Sequence, residues 1–297
     1  MQCKRKKTTL LPIAAATTLA MTGCFSSDDG NGSLTLSVTD APVDDATEVV
    51  VEFTGVEIQP AGQERIVIEF DEPRRIDLLA LQGSASETLL EEESVPPGEY
   101  EWIQVNVNAE RLIPDSYITF EDGSQESLFM PSGAESGLRL VSDFIVPITG
   151  EADFTIDFDL RKSIANPESP NVDYTLRPAL RIVDNTEVGS IVGTVDSEWA
   201  ADPECAPAVY VYEGHDAPTG SVGSDEEPLT STLVDMNDVT GEFHYEVGFV
   251  PEGDYTAAFT CEADDDEPEQ SNDIDFLQSL NTSVTAEEET ELHFSAD

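Results

Sequence analysis

Apolar and polar positions alternate with a period of two along much of the chain. Leu34, Leu36 and Val38 interleave with Thr35, Ser37 and Thr39 before the turn-forming DAPVDD, as in a strand with one buried face. Residues 49–58 and RIVIEF (65–70) predict two further strands. In EWIQVNVN (101–108), Ile103, Val105 and Val107 share the face opposite Gln104, Asn106 and Asn108. In DFTIDFDL (153–160), Phe154, Ile156, Phe158 and Leu160 face one way, and Asp153, Thr155, Asp157, Asp159 and then Arg161 face the other. Helix is scarce, with IDLLALQG (76–83) and DIDFLQSL (273–280) as the two short candidates. Short strands separated by Gly and Pro turns point to a β-sandwich or barrel, and an all-β protein of two β-sandwiches is expected.

A boundary is expected between residues 184 and 189. YTLRPALRIV (174–183) closes one run of strands and GSIVGTV (189–195) opens another. The second run contains acidic residues and histidine but no Lys or Arg. The expected division is residues 33–185 and 186–297.

Charge narrows the range of partners. Across 297 residues there are 62 acidic against 13 basic side chains, a net charge of −49. Four of the basic residues, Lys4, Arg5, Lys6 and Lys7, sit at the start. So acidic a surface repels nucleic acid and anionic lipid headgroups. It suits a saline habitat, where screening relieves self-repulsion, and it suits binding of divalent cations; both readings stay open.

The four basic residues precede an apolar run over residues 10–21, the order of a secretory signal. The run is shorter than the roughly 20 residues a membrane span needs. Met21-Thr22-Gly23-Cys24 closes it and resembles a bacterial lipobox. The resemblance implies a signal peptide over residues 1–23, diacylglycerol on the Cys24 sulfur, and a membrane partner through that lipid. Phe25 in place of Asp implies the outer membrane, on its periplasmic or surface side. Residues 24–32 read as a flexible polar tether. With Cys3 removed and Cys24 lipidated, Cys205 and Cys261 remain, and an exported chain predicts one disulfide between them.

Six stretches in order, GSLTLSVTDAP (32–42), IDLLALQG (76–83), VPPGEYEWIQVNV (95–107), PSGAESGLRLV (131–141), IDFDLRKSI (156–164) and LRPALRIV (176–183), resemble the bacterial lipoprotein domain of unknown-function family 4382. The resemblance implies domain limits and an envelope location and brings no catalytic residue. In the second part, GSIVGTV and the turn Pro251-Glu252-Gly253-Asp254-Tyr255 resemble transthyretin-like and carboxypeptidase-regulatory-like modules. That implies an immunoglobulin-like or prealbumin-like sandwich with an accessory role.

Candidate chemistry is sparse. Asp157, Asp159, Arg177 and Arg181 bring scarce arginines beside aspartates, either as a cross-strand charge ladder or as a polar pocket for a small ligand. Three acidic turns offer oxygens for calcium: Asp40, Asp44 and Asp45; Asp235, Asn237 and Asp238; and Asp264, Asp265 and Asp266. None has EF-hand spacing. Trp102, Trp199, Tyr210 and Tyr212 are the aromatic candidates for a polysaccharide partner. There is no GxSxG, HExxH or phosphate loop, and in so acidic a chain paired carboxylates say little about glycosidase chemistry. The expected function is a non-enzymatic, lipid-anchored, acidic cell-envelope protein with a structural or interaction role. The alternative is a surface module binding carbohydrate or calcium; no other cofactor is expected.

Overall fold

The computed structural model describes residues 30–41, 46–131, 137–165, 174–177, 179–266 and 274–296. Cys24, Asp44 and Asp45 lie outside them. The chain is all-β and forms two β-sandwiches. In the first, a four-stranded sheet runs in the order Leu180–Asp184, Glu151–Asp159, Gly32–Ala41, Glu87–Val95. Gly32–Ala41 and Glu151–Asp159 are parallel, and the outer pairs are antiparallel. It faces a nine-stranded sheet centred on the long antiparallel pair Ala46–Pro60 and Gly98–Asn108.

The apolar alternation builds the first core. Leu34, Leu36, Val38, Ile156 and Phe158 from one sheet meet Val51, Phe53, Ile58, Ile103 and Val105 from the other, all fully buried. Phe53 meets Phe158 edge to face with ring centres 6.0 Å apart, a geometry that suits the ring quadrupoles.

The second sandwich pairs the sheet Asp235–Met236, Phe243–Pro251, Val188–Val195, Glu289–Glu291 with the sheet Thr230–Leu233, Ala208–Glu213, Gly253–Thr260, Phe276–Val284. Ile191, Val209, Val211, Val247, Ala257, Phe259 and Phe294 fill the space between them. The AVYVYE strand is buried on both faces. Val209 and Val211 point into that core, while Ala208, Tyr210 and Tyr212 join Val222, Ala263 and Ile274 in a third cluster on the far side. Cys205 and Cys261 form a disulfide across a separation of 56 residues.

Both helix expectations are corrected. IDLLALQG contributes the end of the Ile66–Asp77 strand and a single 3₁₀ turn, Leu78–Ala80. DIDFLQSL enters the strand Phe276–Val284, whose exposure alternates residue by residue. Pairing with Gly253–Thr260 satisfies its backbone, and tertiary context overrides a weak local preference.

Candidate functional site at the junction of the sandwiches

The outward face of the first four-stranded sheet is not solvated. On this face Thr39 and Asp157 are 1% and 6% exposed, because the second sandwich lies against them, and Asp40 next to Thr39 is 5% exposed. Together with Gly83 they line a small cavity completed by Thr230, Ser231, Thr232, Glu246 and Gly248.

Two glycines let the bodies approach this closely. A Cβ on Gly248 would overlap the Gly83 carbonyl oxygen, and one on Gly83 would press on the Glu246 carboxylate at 3.1 Å. Gly83 also has φ +66°, where side chains are disfavoured. Beside Gly248, Phe249 has φ +53°, and the pairing with Val188–Val195 slips there. Such a bulge re-aims a strand, here towards the cavity.

Asp157 pairs with Arg181 across neighbouring strands, Oδ2 to Nε at 2.6 Å. Burial raises the Asp157 carboxyl above its ordinary range, and Arg181 opposes the rise. Neither carboxylate oxygen of Asp40 has a hydrogen-bond partner. Burial, then the charges of Asp157 and Asp159, push its carboxyl well above the usual range. The Leu160 N–H lies on the favourable side of Asp40 but lowers this carboxyl less than burial raises it. It falls short of hydrogen-bond geometry.

A second contact crosses the junction nearby. The Glu151–Asp159 strand stops at Asp159, whose Oδ1 accepts from the Lys162 N–H at 3.1 Å and caps a helical turn, Leu160–Ser163. The turn takes Arg161 off the strand face on which the alternation places it. Arg161 Nη1 donates to the Tyr210 hydroxyl, which donates to Asp266 Oδ2 at 2.9 Å. Arg161 also lies 3.8 Å from Asp266 as an ion pair. The Val222 N–H donates to both Asp266 oxygens at 3.1 Å. Burial still leaves the Asp266 carboxyl above its ordinary range. At the edge, Lys162 Nζ reaches Glu227 at 3.1 Å. The second sandwich has no Lys or Arg, so the cations at this seam come from the first.

Of the four residues grouped from the sequence, the structure joins Asp157 to Arg181 and separates the other two. Asp159 caps the turn and pairs with Lys162 at 3.3 Å. Arg177 does not share a strand with Arg181, since one strand ends at Leu176 and the next begins at Leu180. Its backbone N–H instead donates to Ser163 O at 2.6 Å. A ladder missed by sequence reading joins the cross-strand partners Glu52 and Arg75 at 2.7 Å; the opposite charges at 52 and 75 were its only signal.

Two of the three acidic turns lie wholly within the described residues. Asn237 Oδ1 accepts the Val239 and Thr240 N–H groups at 2.9 and 3.1 Å, with Asp235 and Asp238 exposed around it. Asp264 and Asp265 lie in a 3₁₀ turn, and Asp266 is buried in the Arg161 contact. Among the described residues no three His, Cys, Asp or Glu side chains gather as a metal cluster. Two of the aromatic candidates are buried and two are half-buried. Tyr210 and Tyr212 are buried, Trp199 stacks on Phe259 at 5.7 Å, and Arg139 lies 4.1 Å over Trp102.

No curated protein matches the chain. Among solved structures, the Bacillus anthracis TIE protein aligns over 90% of this chain at 10% identity with a TM-score of 0.19, and the chain spans 34% of that protein's length. The minor pilin GBS52 of Streptococcus agalactiae aligns over 88% of this chain and 94% of its own at 11% identity and TM-score 0.20. BcpA, the major pilin subunit of Bacillus cereus, aligns over 89% and 99% at 11% identity and TM-score 0.22. Scores this low carry no information about role. The sequence itself is more telling: residues 31–178 match the family described as Domain of unknown function (DUF4382), and the first sandwich of this chain is a member of that family.

Proposed function

We propose that this chain is a non-enzymatic, lipid-anchored protein of the bacterial cell envelope, a structural or interaction module made of two sandwiches held in one orientation. The observation that carries the reading is the junction. Arg161 and Asp266, with side chains 4% and 0% exposed, meet across it through Tyr210. Misaligned sandwiches would leave buried charges without partners, which is strongly unfavourable, so the contact selects one arrangement. A spacer or presenting module needs that property; a hinge does not.

The lipobox supports the anchor. Each acyl methylene buried in a bilayer contributes about 0.8 kcal/mol, so a doubly or triply acylated Cys24 stays put. Phe25 after it favours the outer membrane. A protein partner in the envelope fits better than a polysaccharide, because Tyr210 and Tyr212 are buried and the half-buried Trp199 and Trp102 each have a ring face against Phe259 or Arg139. The net charge of −49 disfavours nucleic acid.

Cell fractionation tests the reading. The chain is expected in the membrane fraction with an acylated N-terminal Cys24, and Cys24→Ser should move it to the soluble fraction. A wild-type chain released freely with an unmodified N-terminus would defeat it.

A further inference from the structure

The chain enters the first sandwich at an end that stands out for its lack of charge. Gly32 pairs with Val95, and Gly98 pairs with Val146. A Cβ on Gly32 would overlap Val146 and the Pro147 carbonyl oxygen, so the entering strand lies directly against the turn that follows Phe144–Val146. Three segments therefore meet here: residues 30–33, 94–98 and 144–150. They read GNGS, SVPPG and FIVPITG and hold no charged side chain, in a chain with 62 acidic residues. Ile145 and Ile148 are 65% and 70% exposed on the last of them. Exposed apolar residues elsewhere sit among charges. Leu112 and Ile113 are flanked by Glu110, Arg111 and Asp115, and Met236 and Val239 by Asp235 and Asp238. Glu99, Asp143 and Glu151 border the neutral end without entering those three segments, and the neighbouring 60–65 turn adds Glu64 and Arg65, one charge of each sign.

We propose that this end of the first sandwich rests on the bilayer that holds Cys24, with Ile148 at the tip and Ile145 beside it in the boundary between headgroups and acyl chains. The inference rests on the anchoring reading above and adds a fixed contact between protein and lipid. The length of the tether selects this occupant. Gly30 lies six positions after Cys24, so the acylated sulfur is no more than about 22 Å away. Two isoleucines alone hold a free protein to lipid weakly, but so short a tether makes the contact intramolecular and raises its effective concentration. The acidic border disfavours anionic headgroups, so the surface that fits is zwitterionic. Docked in this way, the strand Ala46–Pro60, 15 residues long, carries its Ala46 end about 50 Å from its Pro60 end. Pro60 pairs beside Tyr100 near the bilayer, and Ala46 pairs with Phe120 at the far end.

The test reconstitutes the acylated full chain in phosphatidylcholine vesicles at low surface density. With Cys24 acylated and Cys205 joined to Cys261, Thr149→Cys supplies the free thiol for an NBD fluorophore on the exposed turn beside Ile148. Glu121→Cys supplies it at the far end. An interfacial contact sits about 5–10 Å into the headgroup boundary, so doxyl-labelled lipid should quench the probe at 149 about threefold or more over the probe at 121. Ile148→Glu, at an exposed position, should fold normally and bring the two probes level. Equal, weak quenching of both probes in chains that float with the vesicles would overturn the docking and leave the anchor standing. Chains that do not float would overturn the anchor and the docking with it. A blue shift at 149 that grows with the density of chains, without quenching by lipid, would assign the end to a second copy and overturn the proposal as well.

Discussion

The Tyr100 hydroxyl donates to the Pro96 carbonyl oxygen, four residues back, at 2.7 Å. Tyr255 donates to Pro251 in the same way at 2.8 Å. The two turns read VPPGEY and VPEGDY, so each sandwich closes a strand entry with the same Pro-x-Gly-x-Tyr device. Both rings are buried while their hydroxyls satisfy a turn carbonyl, the arrangement of a tyrosine corner. Tyr100→Phe and Tyr255→Phe should each lower stability by about 1 kcal/mol. Chemical denaturation reads this out as a shift in midpoint with unchanged slope. Equal costs at the two sites would confirm one device used twice.

Arg161 holds the sandwiches together through Tyr210 and Asp266, so removing it should expose the modularity of the chain. Arg161→Met leaves Asp266 buried without its cation, at a cost of about 3–5 kcal/mol. Calorimetry should then resolve two transitions where the wild type has one. Asp266 also makes a pH prediction. Its folded pKa is raised, chiefly by burial, so the folded protein holds this proton more tightly than the unfolded chain does. Its contribution to stability is therefore fully present below about pH 4, the ordinary Asp range, and is lost as pH rises through the folded pKa. The stability of the wild type relative to Asp266→Asn should fall over that window and then level off.

These predictions draw on features that differ in how far the sequence disclosed them. The strands were legible because Leu34, Leu36 and Val38, or Phe154, Ile156 and Phe158, repeat at the pleat period and are buried as the alternation requires. The 276–284 strand was not, because Phe276, Leu277 and Leu280 also fit one helical turn; its pairing along Gly253–Thr260 decides the matter. The junction was illegible for another reason. Thr39 and Asp157 read as an outward face, and alternation says only that they oppose the core. It cannot say that a second sandwich covers them. The scarcity of cations was the one available hint, since Arg161 and Lys162 are two adjacent basic residues in a chain with few.

Gly248 is a sharp probe of that covering. Its neighbour across the seam is backbone, the Gly83 carbonyl, and backbone cannot swing aside as a side chain can. Gly248→Ala should force the sandwiches apart locally while each core stays intact. The expected result is a loss of about 1–3 kcal/mol, in the range of overpacking, together with faster hydrogen exchange confined to the 81–85 and 230–232 backbones. An alanine variant with wild-type stability and exchange would mean that the two bodies do not press together there.

The disulfide makes the last prediction, because it fastens more than a loop. Cys205 ends the segment that begins with the helical turn Ser197–Ala200. Within that segment Trp199 stacks on Phe259, ring planes 15° apart, over the second core. In the chain-entropy account, closing 56 residues restricts the unfolded state by about 4 kcal/mol. The Cys205→Ala, Cys261→Ala pair should lose stability of that order in the second sandwich. Trp199 should also report the change directly. The chain has two tryptophans, and Trp102 is held under Arg139 in the other sandwich. A red shift in emission from the Trp102→Phe background on reduction, at denaturant levels that leave the first sandwich folded, would show the Trp199 segment lifting from Phe259 before the rest unfolds. Emission unchanged until global unfolding would show instead that stacking on Phe259, and not the covalent bridge, holds the segment down.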